Sequence, residues 1–220
     1  MAIAFDNATA GGGVTASTTK TYSHTVNSNT DGILFVFISM ANTNDLLTSV
    51  TYAGVTMTRI AYQYNGASDE VYLYYLVAPA SGANNVVITN SSTRNISSMA
   101  VSYTGAKQTT QPDAYAISTP NTLVSTQTIT TTVVGTNCWL VGASYNDSAG
   151  QTPVTNVTER AFEDSRHNYS VGDSNGIVSS GSYGMRWDTT SGTGRFLQIA
   201  ASFLPAEAAS ASKLTLLGVG

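Results

Sequence analysis

The sequence lacks several things that carry chemistry. Cys138 is its one cysteine among 220 residues, which excludes an internal disulfide. It sits in the run Cys138-Trp139-Leu140-Val141, where a buried and unreactive thiol is expected. Only two histidines are present, His24 and His167, and with one cysteine they cannot complete a structural zinc site. Charged residues make up 10% of the chain, against roughly 25% in an average soluble protein. The net charge is −4 and the Lys and Arg residues are scattered. No basic patch is available to neutralise phosphates, so nucleic acid is not an expected partner. No apolar run approaches the length of a membrane span, so none is expected. The first residues, Met1-Ala2-Ile3-Ala4-Phe5-Asp6, do not read as a secretory leader. The expectation is a protein made in a cytoplasm that leaves it, if at all, by lysis or inside an assembly.

Catalytic patterns are missing too. There is no G-x-S-x-G elbow and no phosphate-binding G-x-x-x-x-G-K. Asp69 and Glu70 are neighbours, and neighbours on a strand point to opposite faces. Glycoside hydrolysis needs two carboxylates facing each other across a cleft, so this pair reads as a charged turn. The chain is not expected to be an enzyme. No cofactor is assigned. Calcium is the one candidate ion, through oxygen donors such as Asp164, Asp173 and Asn175, or Asp147 with Asn146, although no EF-hand spacing is present. The densest charged stretch, from Glu159 to His167, reads as an exposed hairpin.

Short β-branched and aromatic runs, bounded by Gly, Pro, Asn and Asp, fill the chain instead. The run Glu70-Val71-Tyr72-Leu73-Tyr74-Tyr75-Leu76-Val77 is apolar on both alternating faces and stops at Ala78-Pro79. Ile33 to Ile38 and Cys138 to Tyr145 share that character. Such strands sit mid-sheet with cover on both sides. Thr18 to Val26 alternates, with Tyr22, His24 and Val26 on one face, so His24 reads as a core or interface residue. Leu47 to Tyr52 and Val55 to Ile60 read as paired strands about Ala53-Gly54. Ile3 to Asn7 reads as a short strand ended by Gly11-Gly12-Gly13. Val86 to Ile88 and Ser97 to Tyr103 read as two strands, Lys107 to Pro120 as a polar crossing, and Asn146 to Thr152 as a loop. Later strands fall at Thr122 to Thr132, Asn156 to Phe162, Tyr169 to Val171, Tyr183 to Trp187 and Phe196 to Phe203. No window has helical periodicity.

Many short strands without helices predict an all-β fold, an antiparallel β-sandwich of jelly-roll type with an extended C-terminal arm. The doubly apolar strands need a third cover: a partner subunit, a curled sheet or the arm. The sandwich is expected over residues 1–205, and linker and arm over 206–220. Glu207 to Ser212 is a linker of mostly small residues, and Lys213 to Gly220 is apolar with one charge. Leu214, Leu216, Leu217 and Val219 are its candidate assembly contacts, since a free apolar end is a liability in a monomer. Aromatic side chains also offer faces for sugars. Tyr62, Tyr64, Tyr145 and Trp187 are the candidate ligand contacts.

The order of motifs resembles a widespread family of β-sandwich domains in phage structural proteins and large secreted bacterial proteins. The pieces that carry the likeness are Ala4-Phe5-Asp6, Tyr22-Ser23-His24-Thr25-Val26, and Val50-Thr51-Tyr52-Ala53-Gly54-Val55-Thr56. Leu73-Tyr74-Tyr75-Leu76-Val77-Ala78-Pro79, Ala100-Val101-Ser102-Tyr103-Thr104-Gly105 and Ile199-Ala200-Ala201-Ser202-Phe203-Leu204-Pro205 continue it. The resemblance implies a virion structural protein: a capsid decoration, fibre or tail-surface subunit. Its partners would be copies of itself, in a homo-oligomer, and other virion proteins. The aromatic set supports a second expectation, a carbohydrate-binding or adhesion module that grips a host-surface glycan.

Overall fold

A computed structural model describes residues 1–41, 44–65, 68–118, 122–147, 150–163 and 168–207. The first part of the chain supplies β1 (Ala4–Val26), β2 (Ile33–Ala41), β3 (Leu47–Tyr52), β4 (Val55–Thr56), β5 (Thr58–Tyr64), β6 (Asp69–Val77) and β7 (Gly82–Thr104). The second supplies β8 (Ala114–Ser118), β9 (Thr126–Val133), β10 (Trp139–Asn146), β11 (Gln151–Thr155), β12 (Thr158–Glu163), β13 (Asn168–Asp173), β14 (Gly181–Thr189) and β15 (Phe196–Phe203). The fold is all-β and every pairing between these strands is antiparallel. Among the described residues no helix is long and apolar enough to cross a membrane.

β1 and β7 are each 23 residues long and pair along their length. Register shifts between Ala10 and Gly13, Val14 and Ser17, and Ser17 and Thr19 break the ladder. Each extra residue bends the pair. Residues 4–14 of β1 run beside 96–104 of β7, and residues 19–26 run beside 82–89. The bend folds one sheet into two layers. The larger has the order β5-β6-β2-β7-β1, using 96–104 of β7 and 4–14 of β1. The smaller has the order β4-β3-β7-β1, using the other ends of β7 and β1. Gly11 is required at the bend, because a Cβ there would lie 2.8 Å from the Ser98 carbonyl oxygen and from the Tyr22 ring.

The second part of the chain repeats this order. Its large sheet is β12-β13-β10-β15-β8 and its small sheet is β11-β14-β9. β8 stands where 4–14 of β1 stands, β9 where 19–26 stands, and β15 where 96–104 of β7 stands. In each half the first strand lies beside the last, and the second beside the next to last. Details coincide as well. Val26 pairs with Gly82, and Val133 with Gly181. The edge strands shift register at the same place, between Arg59 and Ala61 and between Glu159 and Ala161. Asp6 accepts from Ser102 Oγ (2.8 Å) and from the Asn27 and Ser28 amides. Asp113 accepts from Ser202 Oγ (2.8 Å) and from the Val134 and Gly135 amides. In both halves this carboxylate ties first strand, last strand and the turn after the second.

The result is four layers around three cores. The central core lies between the two large sheets, with Phe35, Phe37, Leu73 and Tyr103 meeting Val141, Tyr169, Ile199 and Phe203. A second core fills the first half, where Leu34, Val36, Ile38 and Tyr72 meet Val50, Tyr52, Val86 and Ile88. The third fills the second half around Leu140, Met185, Trp187 and Phe196. This answers why strands are apolar on both faces: β2, β6, β10 and β15 each divide two cores. Their cover is the curled sheet in the first half and a separate small sheet in the second. Each fully buried Leu, Ile or Phe contributes about 1.5–3 kcal/mol relative to exposure.

Several sequence-based boundaries change. Gly11-Gly12-Gly13 does not end β1, and Val86 to Tyr103 is not two strands, because bulges absorb the irregularity while pairing continues. The polar crossing from Lys107 holds β8, and the loop after Asn146 gives way to β11. The turn at Ala53-Gly54 is as expected, with φ of 50° and 80° and Tyr52 paired to Val55. β5, however, pairs with β6 and not with β3.

Candidate functional site

The four aromatic residues expected to contact a ligand do not form one platform. Trp187 is fully buried in the third core, and its indole nitrogen donates to Ser170 Oγ at 3.1 Å. Tyr145 is 4% exposed at the edge of the central core, with Asp69 beside its hydroxyl. Burial, and then that carboxylate, hold the phenol well above its ordinary pKa. Neither side chain can meet a ligand at the surface. Both lie on inward faces of strands, a choice alternation alone leaves open when each face is apolar.

Tyr62 and Tyr64 remain together, half-buried on β5 at the rim of the first half. They share a face with Tyr72 and Tyr74 of β6. The Tyr62 and Tyr72 rings lie 5.0 Å apart at 35°. Both phenols donate to Glu70, Tyr72 at 2.6 Å and Tyr62 at 3.2 Å. Burial and the Glu70 carboxylate push Tyr62 up to about 12, so it stays a donor at neutral pH. Arg59, 41% exposed, meets Asp45 at 2.5 Å on the same rim. The expected charged turn at Asp69-Glu70 is therefore a correction. Both carboxylates are buried. Glu70 takes the tyrosines on one face, while Asp69 takes Asn65 and Ser68 (3.1 Å each). The outer members, Arg59, Asp45, Tyr62 and Tyr64, present a cation, an anion and two aromatic rings.

A second surface was not foreseen. β8 pairs only with β15, so among the described residues its other edge carries no strand. Its sequence is Ala-Tyr-Ala-Ile-Ser, with Tyr115 56% and Ile117 42% exposed on one face. Tyr115 pairs with Ala201 as Ala8 pairs with Val101, and Ile117 pairs with Ile199 as Ala10 pairs with Met99. The first half thus has alanine at both places. The repeat is faintly legible in Ala100-Val101-Ser102-Tyr103 against Ala200-Ala201-Ser202-Phe203. Without the pairing order, those four-residue runs do not stand out.

The remaining reactive groups act as internal ties. His24 is buried between Thr9 Oγ1 (2.9 Å) and Ser102 Oγ (3.1 Å). Burial lowers its pKa to about 4, against the opposing pull of Asp6. Lys20 is 5% exposed and donates to the Gly11 carbonyl at 2.8 Å. Burial lowers its pKa, with Glu163 opposing. Burial pushes the Cys138 thiol up to about 11, which keeps it protonated and unreactive. Two candidate calcium ligands are engaged elsewhere. Asp173 is fully buried and takes a bidentate Arg160 (2.7 and 3.1 Å) and the Tyr103 hydroxyl (2.8 Å). Asp147 takes the Arg195 amide and guanidinium. Among the described residues no group of three or more His, Cys, Asp or Glu side chains is placed to hold a metal.

Asp164, His167 and the arm residues Leu214, Leu216, Leu217 and Val219 lie outside the described residues. The chain reaches Glu207 beside a hollow lined by Met1, Ala2, Asn137, Ile177, Pro205 and Ala206. Compared with protein-family models, curated proteins and solved structures, the chain finds no match.

Proposed function

We propose that the protein is a virion structural subunit of a phage, a capsid decoration, fibre or tail-surface protein built on paired jelly-roll sandwiches. It acts by association with copies of itself and with other virion proteins, not by catalysis. The motif resemblance supports this reading, and one observation carries it. Tyr115 and Ile117 stand exposed where the first half has Ala8 and Ala10. The fold accommodates alanine there, so the added apolar bulk serves a contact outside the subunit. Light scattering on the full chain and on a chain ending at Pro205 tests it. The expected result is a defined oligomer whose mass falls on truncation. Monomers in both cases overturn it.

A second reading, glycan binding at a virion or cell surface, is favoured by the β5 rim. Arg59 and Asp45 offer polar groups beside the half-buried Tyr62 and Tyr64 rings, the mixture that sugar faces and hydroxyls require. Both tryptophans are buried, so calorimetry on a glycan panel is the appropriate assay. Binding that disappears in Arg59→Ala supports this reading, and silence across the panel sinks it.

A further inference from the structure

We propose that the free edge of β8 accepts residues 214–219 of a neighbouring copy as an added antiparallel strand. This rests on the assembly reading above and names the contact that would carry it.

The edges of the molecule are not alike. β1, β5, β11 and β12 each carry a register shift, and β11 also holds Pro153. Bulges and proline are devices that stop a sheet edge from recruiting another chain. β9 turns Thr126, Thr128, Thr130 and Thr132 outward. β4 is two residues long. β8 has none of these protections. Its register with β15 is unbroken from Ser118 to Ala114, and it holds no charge and no proline. Among the described residues it alone joins an unpaired edge to exposed apolar side chains at alternate positions.

The arm has the complementary pattern. Leu214 and Leu216 alternate about Thr215, and no charge follows Lys213. An added strand gains affinity from main-chain hydrogen bonds and specificity from alternate side chains. Tyr115 and Ile117 provide the surface for the second term.

Direction favours a neighbour over the same copy. The chain leaves β15 at the end where Ser202 faces Ala114, and Glu207 is pinned to Lys107 at 2.9 Å. Laid along its own β8 from that exit, the arm would run parallel to it. Every pairing between named strands of this molecule is antiparallel, and antiparallel ladders are somewhat more stable per residue. An arm from a neighbouring copy can enter in the antiparallel sense.

The test uses the full chain, its Ile117→Lys variant, and a chain ending at Glu207 with a labelled peptide of residues 212–220. The expected result is an oligomer for the full chain and monomers for Ile117→Lys and for the truncated chain. The peptide should bind the truncated chain saturably and at least tenfold more weakly once Ile117→Lys is added. Circular dichroism and urea unfolding report whether the variant is folded, and Tyr115→Lys replaces it if the midpoint falls. If truncation dissolves the oligomer while both edge variants keep it, and the peptide binds all forms alike, the arm docks elsewhere. That outcome overturns this inference and leaves the assembly reading standing. A full chain that is monomeric and a peptide that does not bind overturn both.

Discussion

The two halves of the chain share a strand order but not an interior. Between its sheets the first half places Ile38, Tyr72 and Ile88. At the matching pairing positions the second half places Ser144, Ser170 and Trp187. Gln151 reaches into that interior, its amide nitrogen donating to the Ser144 and Asn168 carbonyls at 2.5 and 2.7 Å. One half is closed by aliphatic and phenolic packing, the other by an indole among hydroxyls and amides. What they hold in common is the carboxylate tie at Asp6 and Asp113, the register shift on the outer strand, and the glycine opposite Val26 and Val133. The comparison teaches that pairing order and a few polar ties specify this sandwich, while its filling can vary between aliphatic and polar side chains.

The flanks differ as well. On one side Arg160 stacks 4.1 Å from the Phe5 ring centroid and grips Asp173, closing β12 over β1. On the other side the matching residues are Ile60 and Pro112, and β8 is left short and open. The largest effect is expected at the closed flank. Arg160→Ala leaves Asp173 buried without its bidentate partner and should cost about 3–5 kcal/mol. Ile60→Ala, its counterpart, should cost about 1 kcal/mol because the side chain is only half-buried. Urea unfolding of the two variants measures the difference. Equal costs would break the contrast between flanks.

Acid should also separate the halves. His24 occupies the place that Thr131 holds in the second half. Burial depresses its pKa to about 4. Above pH 6.5 the ring is neutral whether the chain is folded or unfolded. As pH falls below 6.5 the unfolded chain takes up the proton first, and stability drops until the folded state also protonates near pH 4. That loss should reach about 3 kcal/mol. His24→Thr, which installs the second half's residue, should flatten the unfolding midpoint across this window. A variant with the wild-type slope would show that the loss arises elsewhere.

Smaller effects test the likeness. Asp6→Ala and Asp113→Ala each remove one carboxylate that accepts from two amides and a serine. Each should cost about 2 kcal/mol. The two share no partner, so the double variant should be additive within roughly 0.5 kcal/mol. Costs that differ severalfold would mean the tie is structural in one half only. Smallest of all, Ile117→Ala should change stability by less than about 1 kcal/mol, since the side chain is exposed. It should lower the assembled mass all the same.

Much of the architecture was legible before any coordinate. The absence of helical period, the Ala53-Gly54 turn and the doubly apolar strands each have a local cause that the sequence displays. The candidate site was less legible. Tyr62 and Tyr64 remain at a rim, but Tyr145 and Trp187 sit inside, because a strand apolar on both faces does not announce which face meets solvent. Asp69 and Glu70 read as a turn and are buried: Asn65, Ser68 and Tyr72 stand within four residues of them, but only the pairing of β5 with β6 brings Tyr62 over Glu70 and takes both carboxylates out of water. β8 hides in a polar stretch, and its meaning depends on Ala8 and Ala10 standing at equivalent places far away in the chain.

By itself the sequence determined the all-β class, the Ala53-Gly54 turn and the buried character of Cys138 and His24. These follow from period, from turn chemistry and from the apolar residues that flank each side chain in its own strand. Only the tertiary structure decided that the chain folds as two like halves and that one flank is locked while the other is open. It also decided that the third cover is a sheet bent back on itself in the first half and a separate small sheet in the second. Those outcomes depend on which strand lies beside which, and pairing partners distant in the chain leave no mark on local pattern.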